Sequence, residues 1–259
     1  MTMERLVEKT SELEPLQIKS DSLVAKECPK HGPYESQAIT VNGIETLKHR
    51  GLCPKCMQEN RERAEEEERQ RRCKTLLSCS DIPLRFKGCS IDGLAGSSPG
   101  IVHVRKVCKG FVQNFQERGP SLVFIGNVGT GKTHAACAIG LELMRAGHSV
   151  KYTSEYKMTK AIKGTWNEDS ERSEDQVIRE YLQPDLLIID EIGLAFDSSA
   201  QRILFYQVMN GRYEAMKPCI IIGNLTQAEL TEHLGERILD RLREGGGVTV
   251  VFDWASHRK

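Results

Sequence analysis

The sequence carries no surplus of either charge: 36 lysines and arginines stand against 36 aspartates and glutamates in 259 residues. Global charge therefore selects no nucleic acid or membrane surface as a partner, and any basic surface has to be local. No apolar run approaches the length that spans a bilayer. The opening stretch MTMERLVEKT is too polar for a secretory signal, so the expectation is a soluble, cytoplasmic protein without a membrane partner. A disulfide framework is also argued against. The nine cysteines are an odd number, and all but one C-x-x-C pair are scattered through apolar or helical contexts, which suits a reducing compartment. Internal repeats are absent.

What is present divides into three regions, and the length allows one sizeable core plus a smaller appendage. Residues 1–56 hold a polar leader and then CPKHGPYESQAITVNGIETLKHRGLCPKC, rich in turn formers. Residues 57–79 are almost all helix formers and charge. From residue 80 to 259 apolar runs alternate with helical patterns, which predicts an α/β core with a parallel sheet between helices. The middle stretch supports itself as a helix through Arg61/Glu65, Glu65/Arg69, Glu67/Arg71 and Glu68/Arg72, opposite charges four apart that contribute about 0.2–0.5 kcal/mol each. Its apolar residues are too sparse for a coiled-coil seam, so it reads as a solvated helical linker.

Cys28, His31, Cys53 and Cys56 form two pairs with two residues inside each pair and twenty-one between the pairs. That spacing suits a small zinc module, with Pro29 and Pro54 shaping the knuckle turns. Three thiolates and one imidazole close a tetrahedral set and leave no position for a substrate. Zinc here holds together a segment too short to build its own core. His49 is an alternative to His31. Cys73, Cys79, Cys89, Cys108, Cys137 and Cys219 show no such pairing and read as ordinary small residues.

The most specific stretch is SLVFIGNVGTGKTHAACAIGLELMRAG. An apolar strand, a G-x-x-x-x-G-K-T loop and an amphipathic helix follow in the order of a P-loop. Gly126, Gly129 and Gly131 let backbone N–H groups wrap a phosphate, Lys132 reaches for the β- and γ-phosphates, and Thr133 offers its hydroxyl to Mg²⁺. Asn127, Val128, Thr130 and His134 complete the loop's nucleotide-contacting set. Asp190 lies fifty-eight residues beyond Lys132, in PDLLIIDEIG. Four apolar residues predict a strand buried on both faces, with Asp190 and Glu191 at the end where such sheets bind ligands. Asp190 is assigned to the Mg²⁺ shell and Glu191 to polarising the attacking water. A further strand, CIIIGNLT, ends at Asn224. Alone, Asn224 reads as a cap of the helix starting at Thr226. In this order of motifs it reads as a buried carboxamide that positions the lytic water.

Near the end, GERILDRLREGGG brings Arg237, Arg241 and Arg243 together, with Arg258 beyond. An arginine fork suits a phosphate, which could belong to a nucleic acid, to this chain's own nucleotide or to that of a neighbouring copy. Another basic stretch, KYTSEYKMTKAIKGTW, spaces Lys157, Lys160 and Lys163 by three, among Tyr152, Tyr156 and Trp166. It fits a single-strand track and a solvated amphipathic helix equally well. The acidic stretch NEDSERSEDQ after it reads as a flexible loop.

The motifs SDIPLRF, GNVGTGKTH, LLIIDEIG, GNLT, GERILDRLREGG and FDWASHRK, in this order over residues 80–259, resemble AAA+ ATPases of the DnaC/IstB type. That group comprises bacterial and phage replicative-helicase loaders and transposition helper ATPases. The resemblance implies ATP hydrolysis with Mg²⁺ and self-association through the ATP site. Arg241 would be the finger reaching an adjacent subunit's γ-phosphate, Arg237 its partner at that interface, and Arg258 the arginine touching the chain's own nucleotide. His257 stands where an aromatic residue is common. The resemblance further implies a helicase loader that grips a hexameric replicative helicase through its zinc-bearing front and delivers it to single-stranded DNA. The alternative is an IstB-like transposition helper acting on duplex DNA, against which the zinc ligands count. Outside the family, the rivals are a non-hydrolysing nucleotide switch and a zinc-dependent nucleic-acid-binding module.

Overall fold

The computed structural model describes residues 18–41, 44–46, 53–167, 169–193 and 199–256. The chain divides between Glu68 and Arg69 into two compact units. Among the described residues no helix is long and apolar enough to cross a membrane.

The first unit is built on an antiparallel hairpin, β1 (Ile18–Cys28) with β2 (Gly32–Val41), extended by β3 (Ile44–Thr46). The tight turn Pro29-Lys30-His31 joins the long strands, and Gly32 accepts the positive φ of +75° that follows it. These strands are not legible in the sequence, because a bulge between Ser20 and Ser22 breaks the alternation expected of a strand. Helix α1 (Pro54–Cys79) begins inside CPKC rather than at residue 57 and continues across the division into the second unit. Pro54 takes the first helical position, where a missing N–H costs nothing. None of the 26 residues is fully buried, and exposed pairs such as Arg61–Glu65, at 2.8 Å, run along it. The helix is not solvated to its end, however. Cys73, Leu76 and Leu77 pack against the core of the second unit.

That core is a five-stranded parallel sheet in the order β5-β6-β7-β4-β8. The strands are β4 (Leu122–Gly126), β5 (Val150–Ser154), β6 (Leu186–Ile192), β7 (Cys219–Gly223) and β8 (Val248–Phe252). Helices α2 (Pro99–Gln113) and α3 (Lys132–Arg145) lie on one face, packing on Leu122, Phe124, Leu186, Ile188, Ile220 and Ile222. The opposite face, with Val123, Ile125, Leu187, Ile189 and Ile221, carries α4 (Glu155–Lys163), α5 (Glu174–Leu182), α6 (Ser199–Glu214), α7 (Gln227–Leu234) and α8 (Glu236–Arg243). Alternate residues of the three central strands β6, β7 and β4 thus feed two hydrophobic layers, as a doubly covered parallel sheet requires, while the edge strands β5 and β8 give Val150, Val250 and Phe252 to the first layer. The free edge of β5 is covered by the segment that holds SDIPLRF: Tyr152 N–H donates to Ser80 O at 2.7 Å, and Lys151 pairs with Asp81 at 2.6 Å. Part of the stretch read as a flexible acidic loop is helical. Ser173 and Gln176 form a reciprocal capping box that starts α5.

Of the ordinary cysteines, Cys89, Cys108, Cys137 and Cys219 are buried as small core residues, Cys73 is half-buried and Cys79 is exposed. Burial pushes the thiols of Cys89 and Cys108 up to about 11 and about 12 and raises those of Cys137 and Cys219 as well, which keeps them protonated and unreactive.

Arg212 on α6 is 1% exposed and draws loop ends into one knot. Its guanidinium donates to Tyr181 O (2.8 Å), Pro184 O (3.0 Å), Pro218 O (2.7 Å) and Asp185 O (3.3 Å). A methionine there fills similar volume but removes the guanidinium's donors from those carbonyls, of which Pro218 O keeps a backbone partner, Leu187 N–H at 3.4 Å. Arg212→Met should lower unfolding stability by about 3 kcal/mol, read as a fall in the urea midpoint at unchanged slope.

Candidate nucleotide-binding site

Strand order sets the site. β4 has β8 on one side and β7 on the other, and the connections after β4 and β7 run to opposite faces, α3 on one and α7 and α8 on the other, so the crevice beyond their C-terminal ends is the switch point where open α/β sheets bind ligands. A cleft of about 350 Å³ lies there, lined by Val128, Gly129, Gly131, Lys132, Thr133 and His134 of the glycine loop, by Asp190, Glu191, Ile222 and Asn224, and by Arg85 and Phe86.

Gly126 ends β4 at φ +122°, and a Cβ there would lie 2.3 Å from Phe252 O. Only glycine fits the close approach of β4 to β8. Asn127 N–H continues the contact by donating to Phe252 O at 3.1 Å. Thr130 is fully buried, and its hydroxyl donates to Asn127 O at 2.8 Å. The Trp254 indole N–H donates to Thr130 O at 3.0 Å, so the tail after β8 pins the loop from behind. Gly126, Asn127 and Thr130 thus shape the loop, while the other residues of the motif face the cleft. Lys132 Nζ bridges Gly126 O (2.8 Å) and Asn127 O (2.5 Å). His134 Nε2 lies 2.9 Å from Ser90 O at the rim.

Asp190 is buried at the tip of β6 and bonded on three sides. Its Oδ2 accepts from the Thr133 hydroxyl and from the Tyr152 hydroxyl, each at 2.8 Å, and its Oδ1 accepts from Glu191 N–H at 2.7 Å. Burial first, and then the charge of Asp190, holds the Tyr152 phenol well above its ordinary range, so it stays a donor. This corrects the reading of Tyr152 as part of a single-strand track: it belongs to the carboxylate site. The pairing of β6 with β7 shifts register between Ile189 and Ile192, and Glu191 takes the left-handed φ of +59°. The irregularity brings two consecutive acidic residues to the cleft, where a regular strand would send one to each face. Strain at such a residue is characteristic of functional sites. Asn224 lines the cleft but is exposed rather than buried. The cap of α7 is Thr226, which forms a capping box with Glu229, so Asn224 is not engaged as a helix cap.

The arginines lie elsewhere. Arg241 donates to Asn210 Oδ1, stacks 4.5 Å above the Tyr213 ring, and lines a separate cavity of about 280 Å³. Arg237 lies 5.9 Å from the Tyr206 ring centroid. Glu244, three residues after Arg241, accepts from the Tyr213 hydroxyl at 2.8 Å. His257 and Arg258 fall outside the described residues, as does His49. Lys157, Lys160 and Lys163 are all exposed on α4, with Lys160 5.5 Å from the Tyr156 ring centroid. Trp166 is tied to Glu174.

In the first unit the four zinc-spaced residues converge. His31 Nδ1 lies 3.2, 3.3 and 3.7 Å from the sulfurs of Cys53, Cys56 and Cys28, and the Cys28 and Cys56 sulfurs are 3.6 Å apart. Tetrahedral zinc places such donors about 3.5–3.8 Å from one another; two of these distances fall in that range and two lie a few tenths of an ångström below it, so the donor set is compatible with zinc. The hairpin turn supplies Cys28 and His31. The start of α1 supplies Cys53 and Cys56, with Cys53 Sγ accepting the Cys56 N–H at 3.3 Å. His31 turns its other nitrogen to Glu59 Oε1 at 3.1 Å, and Glu59 is held by Lys30 at 2.6 Å. A carboxylate behind a ligating histidine fixes its ring orientation. The sequence gives no separate sign of Glu59, which stands in an unbroken charged run.

Comparison with known proteins agrees with this geometry. The family described as IstB-like ATP binding protein matches residues 59–250. The chain is 31% identical over 194 residues to the replicative helicase loader DnaC of Escherichia coli strain K12, across 75% of this chain and 79% of the loader. The crystal structure of the DnaC helicase loader aligns with a TM-score of 0.59 at 23% identity, covering 65% of this chain and 99% of that one. The crystal structure of DnaI gives 0.57 at 18% identity, over 69% and 95%. The structural likenesses show a shared α/β fold built on a parallel sheet. With the sequence match over most of its length, the chain belongs to the IstB-like ATP-binding family and resembles the DnaC loader.

Proposed function

We propose that this protein is an ATP-dependent DNA-replication factor that binds a replicative helicase and loads it onto single-stranded DNA, with ATP binding and hydrolysis as its switch. The observation that carries this reading is the convergence of Lys132, Thr133, Asp190, Glu191 and Asn224 on one cleft, in a chain 31% identical to a helicase loader.

The roles follow from position. The loop N–H groups and Lys132 bind the phosphates, with Lys132 exchanging its carbonyl partners for phosphate oxygens. Thr133 and Asp190 would hold Mg²⁺, which supplies charge neutralisation to the β- and γ-phosphate oxygens. Glu191 accepts a proton from the attacking water, and Asn224 orients that water from the next strand tip. Arg241, turned away from its own chain's cleft, serves a neighbouring subunit's nucleotide, with Arg237 beside it. Arg258 serves the chain's own nucleotide. Cys28, His31, Cys53 and Cys56 would hold zinc, which supplies a structural cross-link. The first unit so stabilised is the helicase-binding head. The exposed Lys157, Lys160 and Lys163 are assigned to single-stranded DNA.

Glu191→Gln should keep ATP binding and lower turnover by about 10²–10⁴-fold, read by fluorescent-nucleotide titration beside phosphate release. Unchanged turnover would favour the non-hydrolysing switch. An Arg241→Ala variant should also be slow, and mixing it with Glu191→Gln should restore activity, since each supplies the group the other lacks. Failure to complement removes the finger from Arg241 or from action in trans.

The intact chain with Mg-ATP should retain a replicative helicase on affinity beads. The Cys53→Ser/Cys56→Ser variant should lose both its zinc, measured with a metallochromic dye, and the helicase, while still binding ATP. If neither chain retains helicase and both bind duplex DNA with ATP, the transposition-helper reading takes its place.

A further inference from the structure

Glu155 is a buried carboxylate to which the scheme above gives no task. It is the first residue of α4, directly after Ser154, and its side chain is 3% exposed. Burying a carboxylate is costly unless its oxygens are bonded. Here each oxygen has a partner from a different element. Oε1 lies 2.7 Å from His233 Nε2 on α7, and Oε2 accepts the backbone N–H of Gly193 at 3.2 Å. The N-terminal end of α4 adds its positive dipole.

The two partners flank the hydrolytic side of the cleft. Gly193 is two residues beyond Glu191, at φ +99°. A Cβ on Gly193 would lie 2.6 Å from Leu225 Cδ1, so the turn after Glu191 is pressed against the neighbour of Asn224. His233 sits on the helix that starts just after that neighbour, with Thr226 as its cap. Glu191 holds a left-handed backbone, a conformation that persists only where the surroundings enforce it. The bond from Gly193 to Glu155 supplies that enforcement from behind.

We propose that Glu155 is a positioning residue for hydrolysis: through Gly193, and braced by His233, it holds Glu191 at the angle from which it reaches the attacking water. The inference rests on the reading of Glu191 as the group that polarises water. It assigns Glu155 no contact with nucleotide.

The test compares Glu155→Ala, Glu155→Asp and Glu155→Gln in the full-length protein. Substituting Ala should lower kcat by about 10- to 100-fold while ATP affinity, measured by fluorescent-nucleotide titration, changes less than about 3-fold. Gln keeps a carbonyl for Gly193 and should recover most of the rate. Asp keeps the charge, withdraws the carboxylate by one methylene and should not. Substituting Ala in a Glu191→Gln background should add under about 2-fold, because both changes then disable one step. Rates in Glu155→Ala and Glu155→Asp equal to the parent overturn the proposal. So does a full Ala effect persisting beside Glu191→Gln, or a parallel loss of kcat and nucleotide affinity, which would mark Glu155 as structural. Should Glu155→Ala fail to fold, Glu155→Asp and the cycle built on it decide. A parent that binds ATP and does not turn it over overturns the reading of Glu191 first, and this proposal with it, an outcome separate from equal rates in active proteins.

Discussion

The carboxylate of Asp190 ties together the segments that make the cleft. Thr133, at the start of α3, and Tyr152, on β5, donate to one of its oxygens, while the Glu191 N–H donates to the other. These donors come from opposite sides of β6, so Asp190 joins the end of the glycine loop to the edge strand. A buried carboxylate is tolerated because it is fully bonded. The same bonding orders the oxygens towards which a cation at Thr133 would turn. Strand order makes this reach possible. Only β7 lies between β4 and β6, and Asn224, at the tip of β7, therefore faces the cleft between the loop and Glu191.

Much of this was legible in the sequence because it is written in local patterns. The glycine loop needs backbone conformations that few residues adopt, and Gly126, Gly129 and Gly131 appear at those positions with φ of +122°, +78° and +99°. The run Leu186–Ile189 predicts a strand covered on both faces, and all four residues are fully buried. What was not legible depends on pairing between distant segments. Tyr152 looks like one aromatic residue in a basic stretch until β5 is laid beside β6, opposite Ile188. Arg85 and Phe86 read only as a family signature until their segment is placed along the sheet edge and into the cleft wall. The start of α5 was a different kind of omission. Ser173 and Gln176 carry the capping signature in the sequence, and the acidic composition around them obscured it.

The first unit shows a second way of making a small structure hold. Its two knuckles come from unlike elements, a hairpin turn and a helix start, and the donors meet although Cys28 and Cys53 are twenty-five residues apart. Cys28 and Cys53 are themselves buried, where a larger domain would place aliphatic side chains. Helix α1 starts within the second knuckle, at Pro54. Charge pairs such as Arg61–Glu65 support its exposed part, and the packing of Cys73, Leu76 and Leu77 holds its last turns.

Helix α8 separates its two kinds of residue by periodicity. Ile238, Leu239 and Leu242 are buried in the core, so Arg237 and Arg241, four apart, fall on the outer side. There α6 meets them with Tyr206, Asn210 and Tyr213 at matching helical spacing, and each arginine lies over one tyrosine ring. Stacking restrains a guanidinium without neutralising it. An arginine kept charged, oriented and outside its own chain's cleft has lost in advance part of the side-chain entropy that binding a phosphate would otherwise remove. That is the arrangement expected of a group whose anion is brought to it by another molecule. It is the geometry on which the proposed role of Arg241 and Arg237 at an adjoining nucleotide rests.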